Sequence, residues 1–134
     1  MDATPASDFA RIIALARAHL ELVQVVEEDH SPERAILRLT ARHGRYRVFI
    51  TEIVSRTSRQ YRYYVLDGDI VVAGFDNAPD ARALRLRYGR QRKKHIGELI
   101  PHLHLRDKTQ LELTEEMTCA AFLTWLQADV LAGV

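Results

Sequence analysis

The chain has 134 residues, 47% of them hydrophobic, and its 19 basic and 18 acidic side chains leave a net charge of +1. This length and apolar content are enough for one domain with a buried core that needs neither disulfides nor a structural metal. The near-zero net charge excludes a global attraction to nucleic acids or membranes, so any binding of a polyanion has to be local. We therefore expect a single domain over residues 1–134.

The cysteine content and the first residues indicate a cellular location. Cys119 is the only cysteine, and it lies within an apolar helical pattern that is typical of a buried, unreactive thiol. The N-terminal segment MDATPASDF is acidic rather than basic, and no apolar run approaches the ~20 residues that span a bilayer. These features predict a protein of the reducing cytoplasm, with no signal peptide and no membrane partner.

The first predicted element is an amphipathic helix over residues 5–18. Thr4 supplies a capping hydroxyl. Pro5 suits the first helical position because it lacks a backbone N–H, which would have no partner within the helix there. The apolar residues that follow have the spacing of one buried helix face. They are Phe9, Ile12, Ile13, Ala16 and Leu20.

A series of β-like runs comes next, each bounded by turn residues. The runs span residues 20–28, 34–42, 45–55, 60–67 and 69–76. Connections of two to five residues allow only antiparallel neighbours. Asp67-Gly68 predicts a type I′ turn, in which both central residues have positive φ. We expect an antiparallel meander of about five strands.

A second helix is predicted near the end of the chain. Thr114 can cap it, Glu115 and Glu116 suit its first turn, and an apolar stripe follows, so we expect a helix over residues 115–132. Helices at both ends of a run of strands indicate an α+β fold with both helices packed on one face of the sheet.

The other face of the sheet is then either wet or paired with another subunit. Tyr61, Tyr63 and Tyr64 alternate with cations such as Arg62 in this region. Such a mixture suits a homodimer interface or an RNA-facing surface. An ordinary half-exposed strand would use the same residues, because aromatic side chains favour strands in any context.

Residues 82–94 carry an unusual density of positive charge and no acid. The cations are Arg82, Arg85, Arg87, Arg90, Arg92, Lys93 and Lys94. Arginine forks fit phosphates, so RNA or another polyanion is a sensible ligand. A solvated loop or helix face, or a patch that docks on an acidic protein, would also explain the run, and charge runs usually face solvent.

Two motifs flank this basic run. Asp76-Asn77-Ala78-Pro79 precedes it, and Lys94-His95-Ile96-Gly97 follows it. The first motif can be local turn chemistry, in which Asp76 and Asn77 bond backbone amides. The functional hypothesis instead pairs Asp76 with His95, so that the carboxylate orients the ring and makes it a general base near neutral pH. Such a base can deprotonate a ribose 2′-hydroxyl.

His102 and His104 are separated by one residue, so on a strand their rings would share a face. They could chelate a metal with Asp76 or His95. Because no HExxH motif or cysteine pair accompanies them, two hydrogen-bonded or solvent-facing histidines are the preferred interpretation. The sequence therefore predicts no metal and no cofactor.

The chain resembles the TumE family of small toxins at three places. They are Arg62-Tyr63-Tyr64, Asp76-Asn77-Ala78-Pro79 and Lys94-His95-Ile96-Gly97, and the similarity covers residues 58–105. The resemblance implies the toxin of a toxin–antitoxin module, encoded beside a helix-turn-helix antitoxin that binds the toxin and represses the operon.

The chain also departs from the family pattern. Many relatives continue D-N-A-P with two histidines, whereas here Asp80 and Ala81 follow Pro79, and the basic run comes before the His95 motif. If those histidines carry chemistry in the relatives, His102 or His104 has to replace them here.

Three hypotheses follow. The favoured one is a toxin that acts on RNA, with Asp76 and His95 as a catalytic pair, Tyr64 and His104 assisting, and Arg62 and the cations of 82–94 holding phosphates. The second is a non-enzymatic protein that binds an acidic partner or pairs with a second copy. The third is a metal-dependent nuclease that uses Asp76, His95, His102 and His104.

Overall fold

A computed structural model describes residues 5–128 and shows an α+β fold. The helices are α1 (Pro5–His19), α2 (Ala81–Tyr88) and α3 (Cys119–Gln127), and a 3-10 helix (Gly89–His95) directly follows α2. The strands are β1 (Glu21–His30), β2 (Arg34–His43), β3 (Tyr46–Ser55), β4 (Arg59–Asp67), β5 (Ile70–Asp76), β6 (His102–Leu105) and β7 (Gln110–Leu113). None of the helices within residues 5–128 combines the length and apolar character needed to cross a bilayer.

The sheet is an antiparallel meander, as predicted, but it is larger than expected. It contains seven strands in the order β1-β2-β3-β4-β5-β6-β7, and each strand is antiparallel to its neighbours. The first five match the predicted runs closely. The prediction of about five strands is wrong because β6 and β7 are only four residues long and carry no glycine at their turn. That turn instead gives positive φ to Arg106, Asp107 and Lys108.

The predicted turn after β4 is present with a different backbone. The two residues between the paired Asp67 and Ile70 are Gly68 and Asp69. Gly68 has a φ of 60°, whereas Asp69 has a negative φ. A type I′ turn is therefore wrong, because only the first of its two central residues is left-handed.

Helices α1 and α3 cover one face of the sheet, as expected. Phe9 and Ala16 of α1 and Phe122 and Leu126 of α3 join the buried core with inward-facing residues of the strands. The strand residues of this core include Leu37, Leu39, Val48, Ile50, Tyr61, Tyr63 and Val65. Because successive side chains of a strand point to opposite faces, the residues between them lie on the face of the sheet that α1 and α3 do not cover.

The C-terminal helix starts later than predicted. Its N-cap is Thr118, whose hydroxyl accepts a hydrogen bond from the amide of Ala121 at 3.1 Å, rather than Thr114. The Tyr61 hydroxyl accepts a hydrogen bond from the amide of Met117, which ties the segment before the helix to β4. Helix α3 ends at Gln127, and the predicted residues 129–132 lie outside the described part of the chain.

Cys119 is buried at the first position of α3, as predicted. Burial, with a smaller contribution from the nearby Glu52 carboxylate, raises the pKa of the Cys119 thiol to about 12. The thiol therefore stays protonated at neutral pH and is a poor nucleophile.

A buried ion-pair network ties the sheet to the segment before α3. Arg59 donates to both carboxylate oxygens of Glu52, at 3.0 and 3.1 Å, and to the Met117 carbonyl at 2.9 Å. The Tyr63 hydroxyl donates to Glu52 as well. Burial, together with the adjacent Glu52 carboxylate, raises the pKa of Tyr63, so its proton stays in place. The network crosslinks β3, β4 and the approach to α3.

Candidate functional site

Two cross-strand rows on the face opposite α1 and α3 bring the chemically active side chains together. The first row is Arg62, Asp76 and His102, and the second is Tyr64, Gly74 and His104. Residues two apart on a strand share a face, so the rows lie side by side. Five residues that the sequence singled out, Arg62, Tyr64, Asp76, His102 and His104, therefore meet in one place. We call Tyr64, Asp76, His102 and His104 the Asp-His cluster.

Asp76 is buried at the end of β5, and its carboxylate is held on both oxygens. Oδ1 accepts a hydrogen bond from the amide of Ala78 at 2.7 Å, and Oδ2 accepts one from the Tyr64 hydroxyl at 3.0 Å. Arg62 Nε lies 3.5 Å from Oδ2. The amide contact is the local turn chemistry expected of this motif, and the other two contacts aim the carboxylate into the cluster.

Asn77 has a structural role next to it. Its side-chain oxygen accepts a hydrogen bond from the Tyr61 amide, and its side-chain nitrogen donates to the Arg59 carbonyl, both at 2.9 Å. These bonds continue the β4–β5 pairing beyond the last backbone pair. The D-N-A-P motif thus divides into a site residue and a residue that positions it.

The two imidazoles lie next to each other on β6. Their ring centroids are 4.8 Å apart with planes at 89°, and His102 Nδ1 lies 2.6 Å from the Ile100 carbonyl oxygen. Because a carbonyl only accepts, Nδ1 of His102 carries a proton, and in the neutral ring the lone pair is then on Nε2. Burial, together with the positive charges that His102 and Lys108 can carry, lowers the pKa of His104 to about 4. His104 is therefore neutral at pH 7.

Tyr64 keeps its proton in this environment. Burial, with the Asp76 carboxylate beside it, raises the pKa of Tyr64 to about 12. The guanidinium of Arg62 and the ammonium of Lys108 lie 5.2 and 5.1 Å from the centre of its ring. Tyr64 is thus a hydrogen-bond donor to Asp76 with two cations over its ring.

Cations from three elements surround the Asp-His cluster. Arg62 comes from β4, Arg82 from the first turn of α2, and Lys108 from the turn between β6 and β7. Arg82 donates to the Lys108 carbonyl at 2.8 Å, and its other terminal nitrogen lies 3.4 Å from Nδ1 of His104. We call Arg62, Arg82 and Lys108 the cation ring. Nothing in the sequence marks Lys108, because its position depends on the left-handed turn that carries it.

Gly74 makes room for the Tyr64 ring. A Cβ atom at this position would lie 2.9 Å from Cε1 of Tyr64, closer than side-chain carbons tolerate. Because Gly74 stands between Tyr64 and His104 in the second row, the missing side chain lets the phenol lie across the sheet and reach Asp76.

Gly74→Ala is therefore expected to displace the Tyr64 ring and to lower the free energy of unfolding by about 1–3 kcal/mol, as overpacking does. Urea denaturation measures this. In a Tyr64→Ala background the same substitution should cost little, because the clashing ring is gone. An equal cost in both backgrounds would contradict this role of Gly74.

His95 is not part of the Asp-His cluster, so the predicted pairing of Asp76 with His95 is wrong. His95 ends the 3-10 helix, where its ring stacks on Tyr88 with centroids 3.6 Å apart and Nδ1 lies 3.3 Å from Glu98. The sheet register decides the partner, because it puts His102 directly opposite Asp76.

The basic run is helical and mostly points to solvent. Asp80 caps α2 by accepting from the amides of Arg82 and Ala83, and Ala83 is the buried residue of the helix. Of the seven predicted phosphate-binding cations in this run, only Arg82 reaches the Asp-His cluster. The other six are exposed, and within residues 5–128 none pairs with an acid. They are Arg85, Arg87, Arg90, Arg92, Lys93 and Lys94.

An apolar cavity adjoins the cluster on the same face of the sheet. Its volume is about 290 Å³, and Arg62 and Tyr64 belong both to its wall and to the rows described above. The other lining residues are Phe49, Thr51, Leu66 and Val71.

No family model, curated protein or solved structure matches this chain.

Proposed function

We propose that this chain is the toxin of a toxin–antitoxin pair and that it cleaves RNA at the Asp-His cluster. The observation that carries the proposal is the meeting of a carboxylate and two imidazoles with the cation ring of Arg62, Arg82 and Lys108. The TumE-like motifs support the toxin assignment. The cluster also compensates for the departure from the family pattern, since His102 and His104 stand beside Asp76 where relatives continue D-N-A-P with histidines.

The cation ring suits a phosphodiester. Arginine forks and a lysine ammonium bind phosphate oxygens, and the charge that develops on those oxygens during cleavage is stabilised by cations already in place. Arg62 has an anionic partner in Asp76, so an incoming phosphate would share it, whereas Lys108 has no acid within salt-bridge distance among residues 5–128. The apolar cavity beside Tyr64 can accept the base or ribose next to the scissile bond.

Cleavage requires a group that takes the proton from the attacking oxygen. A neutral imidazole or a metal-bound hydroxide does this, and the cluster contains the residues for either route. If the ribose 2′-oxygen attacks, it loses its proton to the cluster and forms a bond to phosphorus. The bond between phosphorus and the 5′-oxygen breaks, and this oxygen leaves with a proton returned by the cluster or taken from water, giving a 2′,3′-cyclic phosphate and a 5′-hydroxyl.

The exposed cations of α2 and the 3-10 helix lie beside this site and offer a track for the RNA backbone. Each phosphate contact on a single strand contributes about 0.7 to the slope of binding affinity against salt concentration. An acidic surface of a helix-turn-helix antitoxin fits the same cations, so antitoxin binding would cover the track and inhibit the toxin.

Replacing Arg85, Arg90 and Arg92 together by glutamine should weaken RNA binding and reduce the magnitude of the salt slope by about 2. The cut positions should not change, because the Asp-His cluster is untouched. Fluorescence anisotropy with labelled single-stranded RNA at several salt concentrations measures the slope. An unchanged slope would show that the RNA follows another surface.

The edge strand β1 favours a second candidate, a protein that acts by binding alone. Leu22 and Val26 are large apolar side chains that β1 leaves exposed, and among residues 5–128 no strand pairs with the outer edge of β1. A homodimer that pairs through β1 would cover both. Analytical ultracentrifugation of wild type and Leu22→Glu tests this, with loss of a dimer in the variant as the supporting result.

The test of the proposed activity uses purified protein and a 5′-labelled single-stranded RNA. Wild type should produce defined fragments, and Asp76→Asn should leave the RNA intact. His95→Gln serves as the control, because His95 is a partly exposed histidine outside the cluster, and this variant should cut like wild type. Intact RNA with wild-type protein, over a range of RNA sequences and divalent cations, would contradict ribonuclease action.

A further inference from the structure

We infer that Asp76, His102 and His104 form a binding site for one divalent transition-metal ion. One ligand atom from each residue lies within 4.8 Å of the other two, and all three residues are buried. Ligands at about 2.0–2.1 Å from a tetrahedral ion are about 3.4 Å apart. Shifts of about 1 Å in the ligand atoms, of the size that side-chain rotation supplies, would bring them to this separation.

The sheet register explains why these three residues converge. His102 and His104 are two apart on β6 and share a face, and Asp76 stands opposite His102 on β5. The sequence leaves open whether Asp76 or His95 is the neighbour of the two histidines, and it favours no metal because no HExxH motif or cysteine pair accompanies them. In the fold that neighbour is a carboxylate, which completes a set of two imidazoles and one oxygen ligand.

Hydrogen bonds to neighbouring groups orient the three ligand side chains, as they do in known metal sites. A histidine that binds a metal through one nitrogen usually donates its other N–H to a carbonyl or carboxylate, and His102 does so to the Ile100 carbonyl at 2.6 Å. Nε2 of His102 then carries the lone pair that a metal needs. The carboxylate of Asp76 is held in turn by the Ala78 amide and the Tyr64 hydroxyl.

The positive charges of the cation ring disfavour binding of a metal ion in the cluster, and this effect can be tested. Arg82 lies 3.4 Å from Nδ1 of His104, so it competes with a metal for the same ring. Its side chain is 46% exposed and can swing into solvent. Removing its charge should therefore strengthen metal binding, whereas a residue that merely supports the fold would not have this effect.

The ligand set also indicates which ions are bound. Imidazole nitrogens suit Zn²⁺, Co²⁺ and Ni²⁺, whereas Mg²⁺ and Ca²⁺ prefer sites made of oxygen ligands. Three protein ligands leave a coordination position for water or a phosphate oxygen. Binding of the metal stands independently of the proposed function. The role of the ion, which is to activate the nucleophile beside the cation ring, rests on the proposed RNA cleavage.

The experiment titrates Zn²⁺ and Co²⁺ into full-length protein that carries no histidine tag and has been treated with chelator. Calorimetry should give one ion per chain with a Kd in the micromolar range or below, and Co²⁺ should produce visible absorption bands. Asp76→Asn and His104→Gln should each weaken binding at least tenfold. His95→Gln should bind like wild type, Arg82→Gln should bind more tightly, and Mg²⁺ should give no heat.

Circular dichroism and thermal unfolding establish that each variant is folded before titration. If Asp76→Asn is unstable, His104→Gln and Arg82→Gln test the site on their own. Absence of stoichiometric Zn²⁺ or Co²⁺ binding in wild type would overturn the inference, and so would binding that survives His104→Gln but is lost in His95→Gln. RNA cleavage by chelated protein that binds no metal would overturn this inference and leave the proposed function standing. Metal binding without RNA cleavage would support this inference and contradict the proposed function.

Discussion

Asp76→Asn is expected to reduce RNA cleavage by about 10²–10⁴-fold while the fold survives. Asparagine has nearly the same shape, and its side-chain oxygen can still accept the hydrogen bond from the Ala78 amide. It removes the negative charge that faces Arg62 and the two imidazoles. Single-turnover cleavage of a labelled RNA measures the loss, and urea denaturation establishes that the protein is still folded.

His95→Gln is the matched control for this prediction. It changes a partly exposed histidine that contacts Tyr88 and Glu98, and it leaves the Asp-His cluster unchanged. We expect its cleavage rate to stay near that of wild type. Equal activity of Asp76→Asn and His95→Gln would show that the cluster has no part in the reaction. A large loss in His95→Gln alone would move the chemistry to the end of the 3-10 helix.

Glu52→Ala should lower the free energy of unfolding by roughly 3 kcal/mol, because it leaves Arg59 and Tyr63 without their buried partner. The carboxylate of Glu52 accepts two hydrogen bonds from Arg59 and one from Tyr63. The estimate lies at the lower end for a broken buried pair, because the Arg59 side chain is 27% exposed and keeps some water. Urea denaturation gives the value.

Glu116→Ala is the control for this second prediction, since Glu116 pairs with the same arginine at 3.6 Å but is 61% exposed. An exposed pair of this kind contributes about 0–1 kcal/mol. Similar costs for Glu52→Ala and Glu116→Ala would contradict the view that the buried network ties the sheet to the segment before α3.

The first half of the fold could be predicted from the sequence because its signals are local. Alternating apolar residues and short polar turns define the strands up to Asp76, and helical spacing after Pro5 defines α1. Strands β6 and β7 lack these signals, since they are short and join through left-handed non-glycine residues. The start of α3 was predicted too early because Tyr61 binds the amide of Met117, a contact between distant parts of the chain.

The candidate site shows the same division. Residue type and motif were enough to select Asp76, Tyr64, His104 and Arg62, which the structure brings together. The partner of Asp76 was mistaken because pairing across strands depends on register. The sequence places His95 nearer to Asp76 along the chain, whereas β6 brings His102 beside it in space.

Induction in a bacterium without the antitoxin gene, with growth and total RNA integrity followed in parallel, tests whether the Asp-His cluster makes this chain an RNA-cleaving toxin. The strains express wild type, His95→Gln or the double variant Asp76→Asn/His104→Gln, with equal soluble protein. Growth arrest and fragmented RNA with wild type and His95→Gln, but not with the double variant, is the predicted result. Arrest by all three proteins, or normal growth and intact RNA in all three strains, would contradict an RNA-cleaving toxin whose chemistry lies in the Asp-His cluster.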